Sequence, residues 1–146
     1  MPLVEYVILL HNMVWIDIEQ SQYVDRTISL YRAARSQFPN VGLCLQSYLH
    51  RTEKDPIDLL PLSPLIRLVK GAYAEPPSVA YRKKSEVNAN YLRLSKIVLA
   101  GINTHNARVG IATHDRLFRK RSRWDFRRAR KIFTSCAGSS QRNSCA

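Results

Sequence analysis

Four short apolar runs alternate with stretches of helical period, and this alternation constrains the fold more than any other feature of the chain. Val14-Trp15-Ile16-Asp17-Ile18 has strand length. Tyr23 to Gln37 then places Val24, Ile28, Tyr31 and Ala34 at helical spacing, with Ser21 available as an N-cap. Pro39-Asn40 breaks that helix, Val41 to Gln46 reads as a second strand, and a polar link leads to a short helix near Asp55 to Leu60. Leu65 to Lys70 is a third strand. Residues 86 to 100 form a helix carrying Val87, Tyr91, Leu94, Val98 and Leu99, and Arg108 to Thr113 is a fourth strand. Repeated β-α units with buried strands imply a parallel sheet with right-handed crossovers. Doubly wound sheets and (β/α)8 barrels both meet that description.

Parity within the strands favours the barrel. Side chains alternate faces along a strand, so Trp15 and Asp17 share a face, as do Cys44 and Gln46, Arg67 and Val69, and Ile111 and Thr113. In three strands a polar residue joins that face at or near the C-terminal end, where the active sites of barrels gather. His114 follows the fourth strand at the rim. A ring of Asp17, Gln46, Arg67, Thr113 and His114 around one cavity is the natural inference, in an α/β partial (β/α)8 barrel whose four strands make half of a closed one.

The third strand carries the most specific signal. Arg67-Leu68-Val69-Lys70-Gly71-Ala72-Tyr73 is a short apolar strand with an arginine inside it, broken at Lys70-Gly71-Ala72. Arginine is almost never fully buried unless paired, so an anionic or polar partner is expected for Arg67. Gly71 and Ala72 allow a ligand close to the backbone. The pattern describes a strand that ends at a bound cofactor. Lys70 has parity opposite to Arg67, so it either faces the helical layer, its ammonium snorkelling to water, or has already left the strand. Its backbone is the expected cofactor contact.

Composition narrows the alternatives. At 146 residues the chain suits one domain. The apolar start, Pro2 to Leu10, lacks a basic leader, contains Glu5 and is too short to span a bilayer. It reads as a strand or ragged start, with no transmembrane segment expected. The net charge of +12 is unevenly spread: residues 1–115 hold 13 Lys/Arg and 10 Asp/Glu, for +3, and residues 116–146 hold 10 Lys/Arg and only Asp125, for +9. Cys44 lies in an apolar run and Cys136 and Cys145 in the basic segment, without C-x-x-C spacing. No metal site or disulfide framework follows, and a reducing compartment is the default. His11, His50 and His105 form no ligand spacing.

Five segments then occur in a telling order: Ile16-Asp17-Ile18-Glu19; Leu45-Gln46-Ser47-Tyr48-Leu49 with Arg51-Thr52; Arg67 to Tyr73 with Glu75; Asn90-Tyr91-Leu92-Arg93-Leu94; and Ala112-Thr113-His114-Asp115. Over about residues 14 to 115 the chain resembles the catalytic barrel of proline dehydrogenase, particularly its compact monofunctional bacterial form. The resemblance implies a distorted (β/α)8 barrel that binds FAD without a Rossmann fingerprint, and no G-x-G-x-x-G occurs in this chain. It implies oxidation of L-proline to 1-pyrroline-5-carboxylate, with hydride passing to the flavin and electrons onward to a membrane quinone. The implied setting is the bacterial cytoplasm or the periphery of the inner membrane. By position, the resemblance assigns Asp17 and Arg67 to catalysis. It assigns Ile18, Gln46, Lys70, Gly71, Ala72, Thr113 and His114 to the cofactor, and Tyr73 to closing over the substrate. A fixed guanidinium near the flavin would stabilise the negative charge that arrives with hydride, and Asp17 could orient that cation.

The chain also departs from the family. Met1 to Met13, a divergent N-terminal segment, contains no lysine where the family's first strand carries one in the substrate site. The family's last helix grips the proline carboxylate with an arginine pair, a bidentate task, and would lie beyond residue 146. The resemblance stops after Asp115, so residues 116–146 are expected to be a basic tail, out of frame or disordered. Arg127-Arg128 follows only the fourth strand and does not replace the lost pair. The expectation is an inactive fragment of strands two to five, poorly stable, aggregating or needing a partner fragment. No nucleic-acid partner is expected; the alternative function is nucleic-acid binding or another non-catalytic interaction through the tail, with Trp124 and Phe126.

Overall fold

The four apolar runs from Val14 onward become strands: β1 (Val14–Asp17), β2 (Val41–Gln46), β3 (Leu65–Val69) and β4 (Arg108–Ile111). The computed structural model describes residues 2–113. His114, the segment 116–146 and the readings attached to them, including Arg127-Arg128 and the nucleic-acid alternative, lie outside the described residues. All pairings are parallel and the spatial order is β1-β2-β3-β4, the order of the sequence. A doubly wound sheet reverses its order at a switch point and carries helices on both faces. Here helices α2 (Val24–Gln37), α3 (Asp55–Leu59) and α4 (Lys84–Thr104) connect successive strands. Their Tyr31, Ala34, Leu59, Tyr91, Leu94 and Val98 pack with Leu43, Leu45, Ile66, Leu68 and Val109 of the sheet in one core. Each such large side chain contributes about 1.5–3 kcal/mol of transfer energy. The result is a barrel arc, with helices outside and the opposite strand face turned inward.

Register decides what meets on that inner face. Asp17 lies opposite Cys44, Cys44 opposite Arg67, and Arg67 opposite Gly110, a single row across all four strands. The parity expected for β4 is therefore inverted: Ile111 pairs with Leu68 and packs against the core, and Thr113 lines the cavity from beyond the strand end. One row nearer the C-terminal ends, Gln46 lies opposite Val69. The ladder runs on past the strand ends: the Ser47 N–H donates to Val69 O at 2.8 Å, Tyr48 N–H to Lys70 O at 2.9 Å, and Ala112 N–H to Leu68 O at 3.0 Å. Two buried tyrosines fasten the helices to the sheet. Tyr31 Oη accepts the Leu65 N–H at 3.2 Å, and Tyr91 Oη reaches the carbonyls of Leu68 (3.2 Å) and Ala112 (3.0 Å), spanning β3 and β4.

The start of the chain is a helix, α1 (Pro2–Leu9), and not the strand or ragged start that its composition suggests. Val4 and Ile8, four residues apart and so on one helical face, dock against the core. Tertiary burial of that face overrides a sequence with no clear alternation. Ser21 does not cap α2 through its side chain. It begins a 3-10 turn (Ser21–Tyr23) and is held instead by Glu75. The last helix, Lys84–Thr104, extends slightly before residue 86 and further past residue 100; the Glu86 carboxylate accepts the Lys83 N–H at 3.4 Å at its start, and Asn106, at φ +51°, turns the chain out at its end.

Candidate functional site

A cavity of about 960 Å³ opens at the C-terminal ends of the strands. It exists because the inner face there carries small or polar side chains while the large apolar ones face the helices. Asp17, Ile18, Gln46, Lys70, Gly71, Ala72, Tyr73 and Thr113 all line it. These eight residues come from four segments, and the structure brings them together. Arg67 stands one row below, in the wall of a small neighbouring recess with Trp15 and Gly110, and meets the cavity through its partner Asp17. His114 lies outside the described residues.

The Asp17–Arg67 pair is direct. Arg67 Nη2 donates to Asp17 Oδ1 at 2.5 Å across 50 residues of sequence, and the guanidinium lies over the Trp15 ring, 5.2 Å from its centroid. A cation held between a carboxylate and an aromatic face keeps a fixed orientation. Cys44 sits between the two in the same row, only 4% exposed. Burial pushes its thiol up to about 11, so it is neutral at physiological pH.

Among the described residues five buried side-chain polar atoms have no hydrogen-bond partner, and two of them, Gln46 Oε1 and Arg67 Nε, belong to the inner face of the sheet. Gln46, 6% exposed, donates through Nε2 to Ile18 O at 2.6 Å, which leaves its Oε1 unpaired. Arg67 Nε is likewise buried and unpaired. An unpaired buried acceptor or donor costs about 1–3 kcal/mol, and both belong to the inner face around Asp17. One offers an acceptor and the other a donor.

Gly71 shapes the floor of the turn. Its φ is +97°, and a Cβ there would stand 2.1 Å from Tyr48 Cδ1. Lys70 has left the strand: its ammonium turns to the helical layer, donating to Asn88 Oδ1 at 2.6 Å and lying 5.8 Å from the centre of the Tyr91 ring. Its carbonyl is taken by the Tyr48 N–H. Tyr73, 39% exposed, reaches across the mouth and donates to Glu19 Oε2.

Sequence reasoning assigned no role to Glu19, Cys44, Lys84, Asn88 or Ala112, which also line the cavity. Cys44 was visible by parity, since it shares a face with Gln46. Lys84 and Asn88 project from the first turns of α4, and nothing local in their segment marks them. Among the described residues no three His, Cys, Asp or Glu side chains are grouped to hold a metal, and no helix is long and apolar enough to cross a membrane.

The sequence profile of the family described as "Proline dehydrogenase" matches residues 2–118. "Proline dehydrogenase 2" of Bacillus subtilis is 43% identical over 103 residues, covering 70% of this chain and 33% of that protein. "Proline dehydrogenase" of Deinococcus radiodurans is 42% identical over 106 residues, covering 71% of this chain and 33% of its own length. The chain thus spans about a third of the length of these curated relatives. Among solved structures, proline utilization A from Bdellovibrio bacteriovorus, inactivated by N-propargylglycine, superposes with a TM-score of 0.68 at 24% identity. That alignment covers 77% of this chain and 14% of that one.

Proposed function

The chain belongs to the proline dehydrogenase family, and from that premise we propose that its cavity is the cofactor side of an FAD-dependent oxidation of L-proline to 1-pyrroline-5-carboxylate. The observation that carries this reading is Gln46 Oε1, a buried acceptor without a partner on a residue that lines the cavity, with Arg67 Nε likewise unpaired in the adjoining recess. Bound FAD would supply the two-electron acceptor for the hydride that leaves the proline ring.

The chain's own residues prepare the site. Gln46, with its amide nitrogen committed to Ile18 O, presents a fixed acceptor to an N–H edge. Arg67, held by Asp17 and Trp15, places a permanent cation where negative charge accumulates on reduction, a role suited to a group that never deprotonates. Asp17 orients that cation and offsets its cost of burial. The Lys70-Gly71-Ala72 turn brings backbone close to the cavity, Ile18 and Thr113 complete its walls, and Tyr73 closes the mouth over the substrate. The same reading assigns His114, which lies outside the described residues, to the cofactor. The electron acceptor is a membrane quinone, and the setting is the bacterial cytoplasm or the periphery of the inner membrane.

Among the described residues no arginine lines the cavity, so none offers the bidentate grip that a proline carboxylate calls for. The flavin side of the chemistry is what the described residues support. The test is titration of FAD into the purified chain, followed by quenching of flavin fluorescence, with Gln46→Leu and Arg67→Met as variants. Saturable binding that weakens about tenfold or more in either variant is expected. A folded chain that quenches nothing overturns the reading.

A further inference from the structure

We infer that Glu19 and Glu75 are positioning residues that clasp the loop after β1 to the loop after β3 and so fix Tyr73 across the cavity mouth. The contacts are reciprocal. The first loop lends Glu19 to Tyr73 of the second, whose hydroxyl donates to Glu19 Oε2. The second lends Glu75 to Ser21 of the first, and both carboxylate oxygens are used: the Ser21 N–H donates to Oε1 at 2.7 Å and its hydroxyl to Oε2 at 2.8 Å. Both pairs join residues 54 apart in sequence.

The topology makes these contacts informative. β1 and β3 are not neighbours, because β2 lies between them. Their ends are separated by two strand spacings, about 9–10 Å. Only long side chains or advancing loops bridge that gap, and here both devices are used. Tyr48, which follows β2, fills the space beneath: its amide is tied to Lys70 O, its carbonyl accepts the Tyr81 N–H at 2.8 Å, and its ring lies against Gly71. The second loop is thus supported from below by Tyr48 and held from the side by the clasp.

The consequence falls on Tyr73. An exposed tyrosine at a loop tip is ordinarily free to rotate, and a bond to a carboxylate on the opposite loop restricts it to one orientation over the opening. The same bond favours the protonated phenol, so the donor is retained: the Glu19 hydrogen bond is the leading cause of a raised Tyr73 value. A mouth closed in this way confines a compact ring substrate against the cavity wall. That last consequence rests on the flavin reading above, whereas the clasp itself does not.

Amide hydrogen exchange on the whole chain, without added flavin, tests the clasp. Glu75→Gln, which removes one acceptor oxygen, and Glu19→Ala should each speed exchange in peptides covering residues 19–23 and 70–76 by about tenfold. Tyr73→Phe should match Glu19→Ala, the double variant should be no worse than either single, and Glu19→Gln, which keeps a carbonyl acceptor, should restore protection. Unchanged exchange in both glutamate variants, or additive effects of Glu19→Ala and Tyr73→Phe, overturns the clasp. A second arm measures FAD affinity, expected to fall severalfold in Glu19→Ala and Glu75→Gln but not in Asn12→Ala at the opposite end of the sheet. Faster exchange with unaltered FAD affinity overturns the positioning role. Were the wild-type chain to bind no FAD, the flavin reading would fail while the exchange arm still decided the clasp.

Discussion

Replacing Gly71 with alanine should destabilise the chain by about 2–5 kcal/mol, from two separable causes. The backbone is at φ +97°, a region where an L side chain costs about 1–2 kcal/mol. In addition, the new Cβ would stand 2.1 Å from Tyr48 Cδ1 and 2.5 Å from Cε1, well inside the roughly 3.5–4.0 Å of ordinary carbon contact. The ring cannot withdraw cheaply. It is 6% exposed, and its own backbone amide and carbonyl are held by Lys70 and Tyr81. Overpacking of this kind costs about 1–3 kcal/mol. Against a total stability of about 5–15 kcal/mol, the loss is large. Equilibrium urea unfolding followed by tryptophan fluorescence would read it as a midpoint lowered by about 1–3 M for an ordinary slope. The decisive measurement repeats Gly71→Ala in a Tyr48→Ala background, where Cγ and the ring atoms are all gone. There only the backbone part, about 1–2 kcal/mol, should remain. An equal cost in both backgrounds would refute the claim that the ring against Gly71 shapes this turn.

Other expectations follow from the same geometry. Cys44 keeps its proton to about pH 11 in the fold against an ordinary value of 9.0. Its contribution is thus fully present below pH 9 and lost as pH rises through 11. Relative to Cys44→Ser, the chain should lose about 2–3 kcal/mol of stability across that window, and parallel pH curves would refute it. Tyr91→Phe deletes the hydroxyl that reaches Leu68 O and Ala112 O at the junction of β3 and β4. It should cost about 1–2 kcal/mol in urea unfolding, and a neutral result would show that those carbonyls find other donors. Among the described residues β1 and β4 each leave one edge unpaired, and open edges template pairing between chains. Sedimentation over a dilution series should show concentration-dependent self-association; a single monomeric species throughout would count against it.

Much of the site was legible along the chain. Asp17, Cys44, Gln46 and Arg67 share one face because alternation is a local property of an extended backbone, and the break at Lys70-Gly71-Ala72 follows from residue type alone. The helix at Pro2–Leu9 was not legible, since its apolar residues show no clean period and only the docking of Val4 and Ile8 selects the helix. The two readings left open for Lys70 were resolved by its partner Asn88 on α4, a residue that local sequence does not mark.

By itself, the order of residues determined the β-α rhythm, the faces of the first three strands, and a family membership recognisable from its ordered segments; in β4 the expected face was inverted. Tertiary structure alone decided the register that sets Asp17 beside Arg67, the orphaned atoms of Gln46 and Arg67, and the exchange of carboxylates between the loops after β1 and β3. The physical reason is range. Alternation and helical period arise from the dihedral angles of neighbouring residues, whereas register and loop contacts depend on how segments dozens of residues apart bury against one another.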